Sequence, residues 1–504
     1  MLAIVAAARP EWRNEILLRA VLALLPCAVL VVHLRPVIGA RPVGWVVPLV
    51  MGFASPFLII SLAREALRGR RFIGFWALYG ATWTVVAWHG THFHRAPRPA
   101  ALFMNLGEIS QVPLPDWHEL PIGIAAAALV LGWVSRRPSP RGRNLRLATM
   151  AALGLFVVLQ GWAFLRYQTR DMLRFSEYRD LVRTHGLEGA ATLDGLELLR
   201  GGNSAAVLAE LHRDAATNPP AAIPLDPVVV DRLVVVQIES LDPEALRPDV
   251  APVLVRLWES ATRGLVNSQR TSVSGSSSAD FQLLTGLRPL SGVPVYRLGW
   301  DHRSESLPAH AAARGFAFHA YHGNERNFWN RGPAYAALGM DFHTSETIPE
   351  TEFSRWGRAD GDLFRYVAAR IPTERRAVHF LITLSTHAPY DLVIPPGPLE
   401  TAPVKTRYLH SMGYLDGALG KFLQALPRDG ATLVALYGDH PSGVFDADDP
   451  TEERPVPMLL GLLTADGALA PLTRGRQPVH SLPGVHELPA LHRFLEDCLD
   501  ASAR

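Results

Sequence analysis

The stretch "LVVVQIESLDPEALRPDVAPVLVRLWESA" (residues 233–261) decides the fold. It opens on a continuous apolar run, the mark of a strand covered on both faces in a parallel sheet. It closes on "PVLVRLWESA", whose apolar residues recur at helical spacing. A strand joined in this way to a helix is the repeating unit of a doubly wound α/β domain. Between the two lies a bare carboxylate, Glu239, where the strand ends.

Three further strands read the same way. They are "GFAFHAYHGN" (315–324), "AVHFLITLSTHAPY" (377–390) and "ATLVALYGDHP" (431–441). The segment "TRYLHSMGYLDGALGKFLQAL" (406–426) between the last two reads as a helix. Each strand ends on reactive side chains: Glu239, then His322, then His387, then the pair Asp439–His440. Any one of them alone is an ordinary cap, surface group or satisfied histidine. Open parallel sheets, however, gather ligands at the carboxyl ends of their strands. Four such ends carrying Glu, His, His and Asp-His predict one site, with Glu239 as a wall of a metal pocket.

A fifth element, "SVSGSSSADFQLLTG" (272–286), opens a helix. Ser277 with Asp280 fits a capping box, so the serines have a purely structural reading. A helix N-terminus also offers free N–H groups and positive potential to a phosphate or alkoxide. A serine there, beside a divalent ion, could lose its proton near neutral pH and attack phosphorus.

The chain has 504 residues and a formal net charge of only +2, which gives no reason to expect a nucleic-acid partner. Its two cysteines, Cys27 and Cys498, make a disulfide framework improbable. The long apolar runs lie mostly before residue 168, at 16–34, 43–62, 72–89, 120–134 and 147–165. A helix crossing a bilayer needs about 20 mainly apolar residues, and four of the five come close. The loops "REALRGRR" (64–71) and "SRRPSPRGRNLR" (135–146) carry four and five arginines. Positive charge stays on the cytoplasmic side, so five spans predict an inside N-terminus and an outside C-terminal part. The expected organisation is a membrane domain (1–167), a linker (168–227) and an extracytoplasmic catalytic domain (228–504). In the linker, "DMLRFSEYRDLVRTHGL" (171–187) reads as an amphipathic helix and "NPPAAIPLDP" (218–227) as a stiff spacer.

The run "HGNERNFWNR" (322–331), with "QIES" (237–240), "STHAPY" (385–390) and "GDH" (438–440) at these separations, resembles the lipoteichoic acid synthase and phosphoglycerol transferase family. These are membrane proteins with an extracytoplasmic α/β domain of sulfatase-like, alkaline-phosphatase type and a mainly parallel central sheet. The resemblance covers roughly 230–465 well and the five-span N-terminus loosely. It implies one divalent cation, typically manganese, on Glu239, Ser276, Asp439 and His440. Magnesium or zinc also suits this largely hard donor set. It implies that His322, Trp329, Arg331 and His387 hold a phosphoglycerol group. An Asp that follows "HG" in the synthases is Asn324 here, so one contact differs. The family's threonine nucleophile falls on Ser276, counted back from Phe281, with Ser277 or Ser278 as the alternatives if the register slips. Arg331 would clamp phosphate oxygens, Trp329 would wall the glycerol, and His387 or His322 would protonate the leaving oxygen. The implied donor is phosphatidylglycerol, and the implied acceptor a glycan or polyglycerolphosphate polymer.

Three other readings compete. A phosphoethanolamine transferase shares the chemistry but often carries several disulfides. An arylsulfatase needs a Cys/Ser-x-Pro-x-Arg motif, and "SSSAD" lacks its proline and arginine. A non-catalytic sensor or scaffold fits poorly with a complete ligand set. The histidines of "HGTHFH" (89–94) and Asp360 and Asp362 of "WGRADGDLF" (356–364) read as interfacial residues and as helix caps; the roles of His480 and His486 stay open.

Overall fold

The computed structural model describes residues 204–267, 275–289, 296, 306–351, 353–354, 356–373, 375–388, 390, 399, 402–445 and 454–503, with scattered residues before 204. All expected site residues lie in one of two compact units, which takes in 202–447 and 452–504. The five expected spans, the helix expected at 171–187 and the histidines of 89–94 fall almost wholly outside the described residues. Among the described residues no helix is long and apolar enough to cross a membrane.

The main elements run α1 (Ser204–Thr217), β1 (Arg232–Ile238), α2 (Pro252–Ser260), β2 (Thr262–Asn267), α3 (Ser276–Thr285), α4 (Leu307–Ala313), β3 (Ala317–His322), α5 (Arg331–Ala337) and β4 (Asp341–His343). They continue α6 (Asp360–Arg370), β5 (Ala377–Ile382), α7 (Val404–Ala425), β6 (Thr432–Gly438), β7 (Val456–Leu463), β8 (Ser481–Glu487) and α8 (Leu488–Ser502). The strand order is β8-β2-β7-β6-β1-β5-β3-β4. All neighbours are parallel except β7, which runs antiparallel to both β6 and β2. The sheet is therefore mixed and mainly parallel, as expected.

The pleat sorts side chains into two layers. Leu233 and Val235 of β1, with Val378 and Phe380 of β5, pack under α1, α3, α4, α5 and α8. Val234 and Val236 face α2, α6 and α7. Covering both faces is why β1 can run apolar from Leu233 to Val236, and all seven of its residues are buried. The start of α2 has no side-chain cap of its own. Asp416 on α7 accepts from Val253 N (3.0 Å) and Leu254 N (2.7 Å), which satisfies two orphan donors and locks the two helices together.

The segment 218–227 is more than a spacer. Ile223, together with Leu208 and Leu211 of α1, is buried in the first core layer. Its prolines shaped a stiff linker in the sequence reading, but its aliphatic side chains had a core to reach. The strands β2, β4, β7 and β8 were not anticipated. The sheet's one antiparallel strand, β7, carries no reactive end that would have drawn notice.

Candidate active site and metal centre

Strands β1 and β6 lie side by side in parallel register, Ile238 opposite Gly438. Glu239 and Asp439 therefore leave the sheet together. Three hydrogen bonds hold the exit. Glu239 N donates to Thr383 Oγ1 (2.9 Å), Thr386 Oγ1 to the Glu239 carbonyl, and Ser240 N to Asp439 Oδ1 (2.8 Å). Ser240 reaches that geometry at φ 54°, a left-handed conformation that costs a non-glycine residue of order 1 kcal/mol or more.

The Glu239 carboxylate accepts from Ser240 Oγ (2.7 Å) on Oε1 and from Ser276 Oγ (2.8 Å) on Oε2. His440 Nε2 lies 3.3 Å from Glu239 Oε1 and 3.7 Å from Asp439 Oδ2. One ligand atom from each of Glu239, Asp439 and His440 falls within 4.8 Å of the others. Gly275, at φ 41°, lets the chain turn into α3 here; a Cβ on it would stand 3.1 Å from His440 Nε2. Gln237 fixes the turn by donating to the Ser276 carbonyl (3.0 Å). Ser276 is thus the first residue of α3, half-buried, with its hydroxyl on the cluster. Ser277 and Ser278 are buried in the helix packing.

No capping box forms. Gly275 is the N-cap, and the start of α3 has no side-chain cap. Asp280 turns inward instead, because three buried donors compete for it. It accepts from Arg331 Nε (2.8 Å), Tyr335 OH (2.5 Å) and Tyr296 OH (2.9 Å). The helix that begins with Ser276 therefore carries, one turn on, the carboxylate that holds Arg331. Arg331 was expected as a two-pronged phosphate clamp. Its Nε is spent on Asp280, and its Nη2 is buried without a hydrogen-bond partner.

The electrostatics of the cluster call for a cation. Burial raises Asp439, and the charge of Glu239 beside it helps push it up to about 7. Burial disfavours the His440 imidazolium, but Asp439 and Glu239 overcome this and push it up to about 10. Burial likewise raises Glu239, yet His440 and His387 hold it well below the usual carboxylate range. Asp439 Oδ2 is buried without a hydrogen-bond partner. Two carboxylates, an imidazole Nε2 and a hydroxyl fit one divalent ion of oxygen-preferring character.

Three histidines at the strand ends share one device. His322 Nδ1 meets Ile382 O (3.1 Å), His387 Nδ1 meets Ala388 O (2.7 Å), and His440 Nδ1 meets Pro441 O (3.0 Å). A carbonyl can only accept, so Nδ1 carries the proton and Nε2 is left for the site. Burial, reinforced by Arg331, lowers His322 to about 3. It is neutral near pH 7, with an Nε2 that accepts rather than donates. The charges of Glu239 and His387 also act on it.

The loop 322–331 closes through its glycine. Arg358 N donates to the Gly323 carbonyl (2.7 Å), and a Cβ on Gly323 would lie 2.3 Å from Arg358 O. Asn324 Oδ1 accepts from Glu325 N (2.6 Å), while its buried Nδ2 has no hydrogen-bond partner. Trp329, at φ 56°, packs on the cluster of Phe328, Trp356 and Leu384.

Several residues escaped sequence reasoning. Trp356 packs 4.1 Å from the His387 ring and donates Nε1 to Ala388 O (2.9 Å). Asp360 and Asp362 do not cap α6, since Ala359 is the N-cap. Asp360 accepts from Leu384 N (2.8 Å) and Ser385 N (2.9 Å), which shapes the turn leading to His387. Asp362 accepts from Thr351 N (2.9 Å). His486 pairs opposite Val266 on the far strand β8, at the other end of the sheet from β3.

The sequence model of the sulfatase family matches residues 232–480. These residues form a sulfatase-family domain. Lipoteichoic acid synthase 2 of Bacillus subtilis is 28% identical over 183 residues, covering 34% of this chain and 28% of that protein. A putative cyclic beta-1,2-glucan modification protein of Rhizobium meliloti is 24% identical over 231 residues, covering 42% of this chain and 34% of its own. The matches thus span about a third of these relatives' length. Among solved structures, the integral membrane lipooligosaccharide phosphoethanolamine transferase A of Neisseria meningitidis superposes with a TM-score of 0.51 at 13% identity, covering 89% of this chain and 88% of that one. The sulfatase-family domain thus has a relative named a synthase and a fold neighbour named a transferase, and its serine turn lacks the sulfatase Pro and Arg.

Proposed function

We propose that this protein transfers the glycerophosphoryl group of phosphatidylglycerol to a glycan or polyglycerolphosphate acceptor, through a covalent intermediate on Ser276. The observation that carries the reading is the Ser276 hydroxyl 2.8 Å from Glu239 Oε2, inside the cluster that Glu239, Asp439 and His440 make at the start of α3. The cluster's hydroxyl and three ligands would hold the divalent ion, manganese by family type. When bound, that ion supplies a Lewis acid and lowers the pKa of a neighbouring hydroxyl.

The chain's own groups do the rest. Ser276 Oγ attacks phosphorus as its proton leaves toward the Glu239–Asp439 carboxylates. The bond from phosphorus to the diacylglycerol oxygen breaks, and that oxygen takes a proton from His387. His322, neutral at Nε2, accepts a hydrogen bond from a glycerol hydroxyl, and Asn324 offers it a donor. Arg331 Nη2 holds a phosphate oxygen, and Trp329 with Trp356 walls the pocket. In the second half an acceptor hydroxyl attacks phosphorus and His387 takes its proton, while the bond from phosphorus to Ser276 Oγ breaks and that oxygen takes back the proton held by the carboxylates. Positioning and charge neutralisation are what such a displacement needs.

A lipid donor agrees with five spans at 16–34, 43–62, 72–89, 120–134 and 147–165, an outer-face catalytic domain and a location in the cytoplasmic membrane. The likeness to a membrane transferase over 89% of the chain supports that plan. The Ala- and Arg-rich composition and the Rhizobium relative favour a glycan acceptor. The same fold likeness keeps phosphoethanolamine transfer as a second reading. Full-length protein in detergent, given phosphatidylglycerol labelled in its acyl chains, should release diacylglycerol, and Ser276→Ala or chelation should stop it. Release only from phosphatidylethanolamine would select the second reading. Unchanged release by Ser276→Ala would remove the serine from the reaction.

A further inference from the structure

A second group of metal-ligating side chains lies away from the strand ends. His319 of β3 stands in register with Asp341 of β4, and His343 is opposite Tyr321. These residues alternate with Phe318, Ala320 and Phe342, which face the α3 layer. His319, Tyr321, Asp341 and His343 therefore project from the opposite face of the sheet, at its β4 edge. His319 and His343 are buried, while the Asp341 side chain is 56% exposed and opens the group to solvent.

His319 Nδ1 is 3.2 Å and His343 Nε2 2.8 Å from the same atom, Asp341 Oδ2. One ligand atom from each residue falls within 4.8 Å of the others. Ligand atoms around a tetrahedral ion with bonds of ~2.0–2.1 Å lie roughly 3.3 Å apart, so an opening of a few tenths of an ångström admits one. A plain hydrogen-bonded trio explains less. His343 Nε2 is close to Asp341 but off the line a hydrogen bond needs, and this buried nitrogen has no hydrogen-bond partner. Tyr366 OH on α6 meets His343 Nδ1 at 3.2 Å, the outer contact that orients a ligating imidazole.

We propose that His319 Nδ1, Asp341 Oδ2 and His343 Nε2 form a second divalent-metal site, with water completing the coordination of a first-row transition ion such as Zn²⁺. Two imidazoles and one carboxylate select a softer ion than the hydroxyl-and-carboxylate set at Ser276. The site joins the edge strand β4 to β3, whose last residue is His322. An ion here staples the strand that presents the pocket without touching substrate.

Full-length protein stripped with chelator and titrated with Co²⁺ tests this. The wild type should bind two ions, Glu239→Gln/Asp439→Asn one, and Asp341→Asn one. The Co²⁺ retained by Glu239→Gln/Asp439→Asn should show visible d–d absorption that Zn²⁺ bleaches. Adding His343→Gln should remove that absorption and weaken binding at least tenfold. Asp341→Asn, at an exposed carboxylate, serves the same purpose if His343→Gln does not fold. A Glu239→Gln/Asp439→Asn protein without Co²⁺ binding, or unchanged affinity in Asp341→Asn, overturns the second site. One ion that Glu239→Gln/Asp439→Asn keeps and Asp341→Asn loses would instead overturn only the ion at Ser276.

Discussion

Two groups of carboxylates and imidazoles stand on one sheet, and the chain builds them differently. Glu239, Asp439 and His440 sit past the ends of adjacent central strands, where the backbone is free to turn and loop contacts hold the Glu239 N–H, Asp439 Oδ1 and His440 Nδ1. His319 sits inside β3, and Asp341 and His343 lie on the edge strand β4, where strand register aligns them and Tyr366 meets His343. The first group gathers like charge around a reactive hydroxyl. The second pairs one exposed carboxylate with two buried imidazoles. Loops past the strand ends make the first group, and register between paired strands makes the second.

That contrast can be broken or sharpened by mutation. The largest effect belongs to Ser276→Ala, which should lower transfer on the order of 10³-fold or more while the ion on Glu239, Asp439 and His440 binds more weakly but is not lost, read by diacylglycerol release and metal titration. A comparable loss with one ion gone is expected for Glu239→Gln. Next comes Asp280→Asn. Removing one partner of a buried ion pair costs about 3–5 kcal/mol, so a loss of several degrees in thermal melting should accompany lost activity, although Asp280 touches no substrate.

The pH dependence of stability separates two buried groups. His322 titrates near 3 in the folded chain against about 6.5 unfolded, so its contribution is present above about 6.5 and lost as pH falls toward 3. Asp360, raised to about 6 mainly by burial, runs the other way: its contribution is present below about 4 and lost as pH rises through 6. Denaturant melts from pH 4 to 7 should show a shallower rise with pH in His322→Asn than in wild type. They should show a steeper one in Asp360→Asn. The smallest effect is expected for Asn324→Asp, which restores the residue found in the synthases. KM should change within about tenfold at nearly constant kcat, read by initial rates, because Asn324 would bind the group rather than react with it.

Much of this arrangement could be read from residue order alone. The strands that carry Glu239, His322, His387 and Asp439 announced themselves because buried parallel strands are long apolar runs and their polar ends stand out. The serine turn was visible too, but not the part played by Asp280. Three residues after Ser277, it has the spacing of a cap, and only folding brings Tyr296, Arg331 and Tyr335 around it. Asp360 misled for the same reason, since a carboxylate at a helix start reads as local until a distant loop presents its N–H groups. The cluster of His319, Asp341 and His343 left no motif, because register between strands 22 residues apart is not written in either strand.

One claim supports everything else: a lone hydroxyl at the mouth of the sheet carries the transferred group between donor and acceptor. Peptide mass spectrometry of the full chain, quenched after exposure to phosphatidylglycerol without acceptor, tests it most directly. A glycerophosphoryl adduct should appear on the peptide containing Ser276 and map to that side chain. An adduct on another residue, or fast turnover to product with Ser276 unmodified at every quench time, would contradict it.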